Sequence, residues 1–147
     1  MDATHVYDMA LRCLARRPHG IQELTRKLYQ KGAPSELVEQ AIARCLEQGY
    51  LNDAAFAEAL TRNRLQNKLC GPQRVRAELH QRGVSAGQTE SALADFLATT
   101  DLLALARAAR DKKFGSAPPP DRATLKKQYD FLVRRGFDAD TIWQILG

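Results

Sequence analysis

A segment centred on one glycine occurs three times along the chain, and this repeat limits the folds that the chain can adopt. The copies cover residues 24–42, 75–93 and 129–146. Their glycines, Gly32, Gly83 and Gly136, are spaced by 51 and 53 residues. Repeats of this length are typical of tandem supersecondary units. We therefore expect three similar units, over residues 1–50, 51–98 and 99–147.

The residues around each glycine have the pattern of two helices joined by a tight turn. A leucine stands four positions before each glycine and a basic residue stands directly before it: Leu28, Leu79 and Leu132, then Lys31, Arg82 and Arg135. Mostly apolar residues follow at six, nine and ten positions after it, which is the spacing of one helix face. A glycine suits the end of a helix because it adopts positive φ without strain. Ser85 and Asp138 are predicted to cap the helices that follow.

A further amphipathic stretch precedes each copy, at about residues 4–17, 53–69 and 101–113. No alternating β pattern of useful length is present. The sequence thus predicts an all-α fold of three tandem three-helix repeats, in which residues 115–120 (GSAPPP) form a short stiff loop.

Positive charge is concentrated in the first two helices of each predicted unit. Residues 62–83 carry a net charge of +5 and residues 107–135 carry +6, whereas residues 84–106 carry −3. A solvated face explains one such cluster, but the recurrence favours a shared basic face that binds an anionic partner. Arginine forks suit phosphate or carboxylate groups equally. The candidate contacts are Lys27, Lys31, Arg62, Arg64, Lys68, Arg74, Arg76, Arg82, Lys112, Lys113, Arg134 and Arg135.

The sequence shows no recognisable catalytic, metal or cofactor motif, so we expect a protein that is not an enzyme and needs no cofactor. Cys13, Cys45 and Cys70 are interpreted as buried small hydrophobic residues, which favours a reducing cytoplasm. No membrane span or secretory signal is predicted.

Several motifs, taken in order, resemble those of the RecX family of bacterial recombination regulators. The most specific are GYLND at 49–53, followed by Phe56 and Ala57, and G-P-x-R-x-R-x-E-L-x-x-x-G from Gly71 to Gly83. ARDKKFG at 109–115 and VRRGF at 133–137 add to them. The resemblance covers about residues 7–146. At His19–Gly20 the chain differs from the family, which commonly has a small polar helix cap there.

This resemblance implies three three-helix repeats in an elongated, curved monomer. It implies binding in the groove of the RecA–DNA filament, and inhibition of ATPase, strand-exchange and co-protease activities. It also implies weak direct binding to single- and double-stranded DNA, and modulation of DNA repair and the SOS response. The candidate cations are then filament or DNA contacts. Two alternatives are a helix-turn-helix transcriptional regulator with 71–83 as its recognition helix, and a helical scaffold whose charges are only solvated.

Overall fold

The chain folds into helices alone. A computed structural model describes all 147 residues and contains nine α-helices and one π-helical turn, with no strand. The first helices are α1 (Ala3–Arg16), α2 (Ile21–Gln30), α3 (Ser35–Glu47) and α4 (Asp53–Arg62), and the π turn (Asn63–Asn67) follows directly. The remaining helices are α5 (Pro72–Gln81), α6 (Ala86–Leu97), α7 (Leu102–Phe114), α8 (Arg122–Arg135) and α9 (Ala139–Leu146). The predicted all-α class and its three tandem three-helix repeats are confirmed.

The helix ends are set by local side-chain chemistry. Asp138 accepts a hydrogen bond from the backbone N–H of Thr141 at 2.8 Å, and Ser85 Oγ accepts one from Gln88 N at 3.2 Å, so both predicted caps are confirmed. The three repeated glycines all have positive φ: Gly32 +88°, Gly83 +79° and Gly136 +102°. Each therefore ends its helix as the sequence predicts.

One compact unit consists of Met1–Ala57 and Leu79–Thr89. In it α1 packs against α3 and α2, and α2 packs against α3. The side chains that are less than 2% exposed in this core include Val6, Ala10, Leu24, Leu28, Val38 and Cys45. These are the apolar face positions that the helical spacing predicts.

The other compact unit consists of Glu58–Glu78 and Glu90–Gly147. Here α7, α8 and α9 pack against one another around Ala106, Ala109, Leu132, Phe137 and Ile142. Ile145 and Leu146, which stand nine and ten positions after Gly136 on the predicted apolar face, are only partly buried against this cluster, because α9 ends with them. All three cysteines are buried and free, as predicted. None of the helices combines the length and the apolar character that a membrane span requires.

Candidate anion-binding surface

Five of the twelve candidate cations have polar partners within the protein. These are Lys27, Arg62, Arg64, Arg76 and Arg82. The other seven form no ion pair, and all of them except the half-buried Arg135 are exposed: Lys31, Lys68, Arg74, Lys112, Lys113, Arg134 and Arg135. The charge pattern alone does not separate these two groups.

The start of α2 lies against the end of α5, and we name this contact the first junction. Gly20 has no side chain to cap α2, and Asp53 Oδ1 instead accepts a hydrogen bond from the Ile21 N–H at 2.8 Å. Asp53 is the last residue of the GYLND motif, so a carboxylate from α4 supplies the cap that His19–Gly20 lacks. An aspartate at a helix N-terminus also interacts favourably with the helix dipole.

A shared carboxylate binds two arginines at the first junction. Glu23 Oε2 accepts hydrogen bonds from Arg17 at 2.7 Å and from Arg82 at 2.8 Å, and its side chain is only 16% exposed. Burial by itself would raise the pKa of Glu23, but the hydrogen bond from Arg17 and the charge of Arg82 outweigh it and lower the pKa below its ordinary value. The guanidinium of Arg82 also lies 5.8 Å from the centre of the Phe56 ring. Arg82 thus helps to hold the fold.

The start of α5 lies in the same way against the end of α8, at what we name the second junction. The Gly71 N–H donates to the Arg135 carbonyl at 2.6 Å, and the Gln73 N–H donates to the Gly136 carbonyl at 3.0 Å. The first N–H groups of a helix lack partners within it, and carbonyls at the end of another helix provide them here. Gly71 and Pro72 are buried by this contact.

Two further arginines form ion pairs that bring neighbouring elements together. Arg64 of the π turn donates two hydrogen bonds to the carboxylate of Glu78 on α5, the longer of them at 2.7 Å. Arg76 on α5 binds Glu90 on α6, with an Nε–Oε1 distance of 2.6 Å. The hydrogen bond that each arginine donates to its glutamate raises the pKa of that arginine. Of the candidate cations on α5, then, only Arg74 is exposed and forms no ion pair.

The structure brings four of the unpaired cations together around one cavity of about 290 Å³, which we name the cationic cavity. Its charged lining is Lys68, Lys112, Lys113 and Arg135, and its apolar lining is Leu69, Ala109 and Phe131. Lys68 follows the π turn, the other two lysines lie in the last turn of α7, and Arg135 ends α8. No acidic residue lines it.

Sequence reasoning missed Leu69 and Phe131 as part of this site. Leu69 is the one non-glycine residue with positive φ, at 53°, and helical periodicity carries no signal for such a residue.

No three His, Cys, Asp or Glu side chains come together as metal ligands.

Comparison with known proteins matches the three repeats one by one. Family models described as the first, second and third three-helix domains of RecX match residues 7–45, 52–93 and 99–146. The crystal structure of RecX from Lactobacillus salivarius has a similar fold, with a TM-score of 0.77 at 20% identity over 97% of this chain and 93% of that one. A second crystal structure, of a regulatory protein RecX, gives a TM-score of 0.79 at 24% identity, covering 97% of this chain and 70% of that one.

Curated relatives extend the match at higher identity. The regulatory protein RecX of Halorhodospira halophila is 42% identical over 137 residues, which are 93% of this chain and 83% of that protein. The protein of the same name from Pseudomonas entomophila is 40% identical over 137 residues, 93% of this chain and 86% of that protein. Together with the three domain matches, these similarities confirm the resemblance read from the motifs, and the chain belongs to the RecX family of regulatory proteins.

Proposed function

We propose that this chain is a negative regulator of the RecA recombinase. It binds the RecA–DNA filament in the cytoplasm and inhibits ATP hydrolysis, strand exchange and co-protease activity, which modulates DNA repair and the SOS response. The observation that carries the proposal is the match to regulatory proteins named RecX over 93% of the chain. The proposed partner is RecA on DNA, and the chain acts as a monomer without a cofactor.

The distribution of unpaired charge supports a polyanionic partner. Lys31, Arg74 and Arg134 are exposed and form no ion pair. Lys31 is the C-cap of α2, Arg74 lies in α5 and Arg134 lies in α8, and these are the second helices of the three repeats. Exposed cations contribute little to folding but strongly to association with nucleic acid. A contact in each repeat gains avidity when the contacts act together.

The packing of α5 argues against the helix-turn-helix alternative. A recognition helix presents its N-terminal residues to base edges in the major groove. In this chain Gly71 and Pro72 are buried, and the first turn donates hydrogen bonds to Arg135 and Gly136. Val75 and Leu79 are fully buried as well. Carbonyls of this chain therefore occupy the N-terminus of α5, the end that a recognition helix presents to the major groove.

Cosedimentation with preformed RecA filaments on single-stranded DNA tests the proposal. The wild-type chain is expected to pellet with the filament. Charge reversal at Lys31, Arg74 and Arg134 is expected to reduce the bound fraction at least tenfold, because each substitution replaces an unpaired positive charge by a negative one. The control reverses Arg12, Arg26 and Arg122, which are also exposed but lie outside the candidate set. Equal binding by the two triple variants would contradict the assigned surface, and no pelleting of the wild type would contradict the proposal itself.

A further inference from the structure

The cationic cavity has the lining expected of an anion-binding site. Lys68, Lys112, Lys113 and Arg135 converge on it, and none of them forms an ion pair. The Nε atom of Arg135 is buried without a hydrogen-bond acceptor. Like charges that share a concave site repel one another, and a buried donor without an acceptor destabilises the fold, so both features favour an anion in the cavity.

The backbone around the cavity is arranged in an unusual way. The chain leaves α4 through a π-helical turn, a feature that is rare and is frequent at functional sites. Leu69 then adopts positive φ, a conformation that a leucine rarely takes and that is concentrated at ligand sites. The hydrogen bond from Gly71 N to the Arg135 carbonyl joins this segment to α8. The result is that Lys68 and Leu69 face the same cavity as Arg135.

The remaining wall of the cavity is apolar. Phe131 contributes an aromatic ring, which Phe114 holds in an edge-to-face contact with ring centres 5.3 Å apart. The lining side chains offer hydrogen-bond donors and apolar surface, but no acceptors. The carboxylates of an acidic peptide would use only the cations, whereas a nucleotide brings phosphate oxygens for the cations and the flat face of a base for the Phe131 ring. Base stacking on an aromatic side chain requires an unpaired base, as in a single strand.

We infer that the cationic cavity binds one nucleotide of single-stranded DNA, with the phosphate against the lysines and Arg135 and the base against Phe131. The volume of about 290 Å³ is at the lower end of ligand pockets, which begin at roughly 300 Å³, and it fits one nucleotide rather than a duplex. The inference rests on the proposed function and deepens it, because it assigns a DNA contact to a regulator of the filament.

The test measures binding of a short fluorescent oligo-dT strand and of a base-free strand with the same number of phosphates, without RecA. The wild type is expected to bind oligo-dT about tenfold more tightly than the base-free strand. Lys112→Ala with Lys113→Ala is expected to weaken oligo-dT binding at least tenfold and to reduce the salt slope by about 1.4, since each phosphate contact on a single strand contributes about 0.7. Phe131→Leu is expected to abolish the preference for bases and to leave the salt slope unchanged.

The matched control is Arg107→Ala with Lys127→Ala. It also removes two exposed charges, from α7 and from α8, but neither residue lines the cavity. Equal loss in the two double variants overturns the inference, as does a wild type without preference for bases. Unlabelled polyglutamate and unlabelled oligo-dT are also compared as competitors for the bound strand. If polyglutamate displaces the strand at a lower concentration of negative charge, the cavity binds an acidic protein segment and the inference is overturned. Inhibition of RecA by the wild type is measured in parallel, so that the proposed function and the nucleotide site are tested separately. Absence of inhibition contradicts the proposed function, whereas the preference for bases still tests whether the cavity binds a nucleotide.

Discussion

Replacing Gly136 by alanine tests whether the close backbone contact at the second junction, between α5 and α8, stabilises the fold. A Cβ atom at this position would lie 2.5 Å from the backbone N of Arg74 and 2.8 Å from the carbonyl O of Gly71. These are backbone atoms at the start of α5, and they cannot move away without breaking the hydrogen bonds of the second junction. Gly32 is the matched control, because it also has positive φ but nothing lies within 4 Å of its Cβ position.

The two substitutions share the cost of positive φ and differ only in the clash. Positive φ costs a residue with a Cβ about 1 kcal/mol, and this is all that Gly32→Ala is expected to lose. Overpacking adds roughly 1–3 kcal/mol, so Gly136→Ala is expected to lose about 3 kcal/mol of unfolding free energy. For a chain of this size the melting temperature should fall by about 3 °C and about 9 °C respectively.

Urea unfolding followed by circular dichroism measures both variants. Gly83→Ala should lie between them, because its Cβ would meet the side chain of Gln22, which is exposed and can move more easily than backbone. Equal destabilisation by Gly32→Ala and Gly136→Ala would refute the reasoning, since the close approach at the second junction would then contribute nothing.

Two further predictions concern the core and the first junction. Leu79→Ala, at a fully buried position, should lower the free energy of unfolding in urea by roughly 2–5 kcal/mol. Leu46→Ala, at a position 43% exposed, should change it by less than about 0.5 kcal/mol. Similar losses in the two variants would contradict the repeat alignment. Glu23→Gln should lower the unfolding free energy by about 1 kcal/mol at neutral pH, because Arg17 and Arg82 lose their shared carboxylate. Since the pKa of Glu23 is lowered in the folded state, its contribution is present above its ordinary value of 4.5 and is lost as the pH falls through the folded value. Thermal melts should therefore show a gap in melting temperature between wild type and variant at about pH 7 that narrows as the pH falls below 4.5 and closes once Glu23 is protonated in the folded state. A gap that is independent of pH would contradict the assignment.

The sequence predicts the fold well because its signals are local. Leu28, Leu79 and Leu132 recur at one offset from a glycine, and all three are 0% exposed. The glycines end helices at positive φ, a requirement that depends on the backbone at that residue alone. Local spacing and turn chemistry are therefore enough to place the helices of each repeat and most of their buried faces.

The site is less predictable because it depends on contacts between residues far apart in the sequence. Asp53 caps α2 across 32 residues, and Arg82 reaches Glu23 across 59. Charge counting cannot distinguish Arg82, which is held by that glutamate, from Arg74, which is free. The stretch predicted as one helix over 53–69 changes to a π turn at Asn63, and apolar spacing does not reveal this change. The cationic cavity depends on that turn.

RecA-catalysed ATP hydrolysis on single-stranded DNA is the most direct test of the central claim. The assay adds the chain to preformed filaments at a small fraction of the RecA concentration, so that simple sequestration of DNA by a basic protein cannot account for an effect. The proposed function predicts that hydrolysis falls under these conditions, because one bound regulator affects many RecA subunits. An unchanged rate of hydrolysis, even with the chain equimolar to RecA, would contradict it.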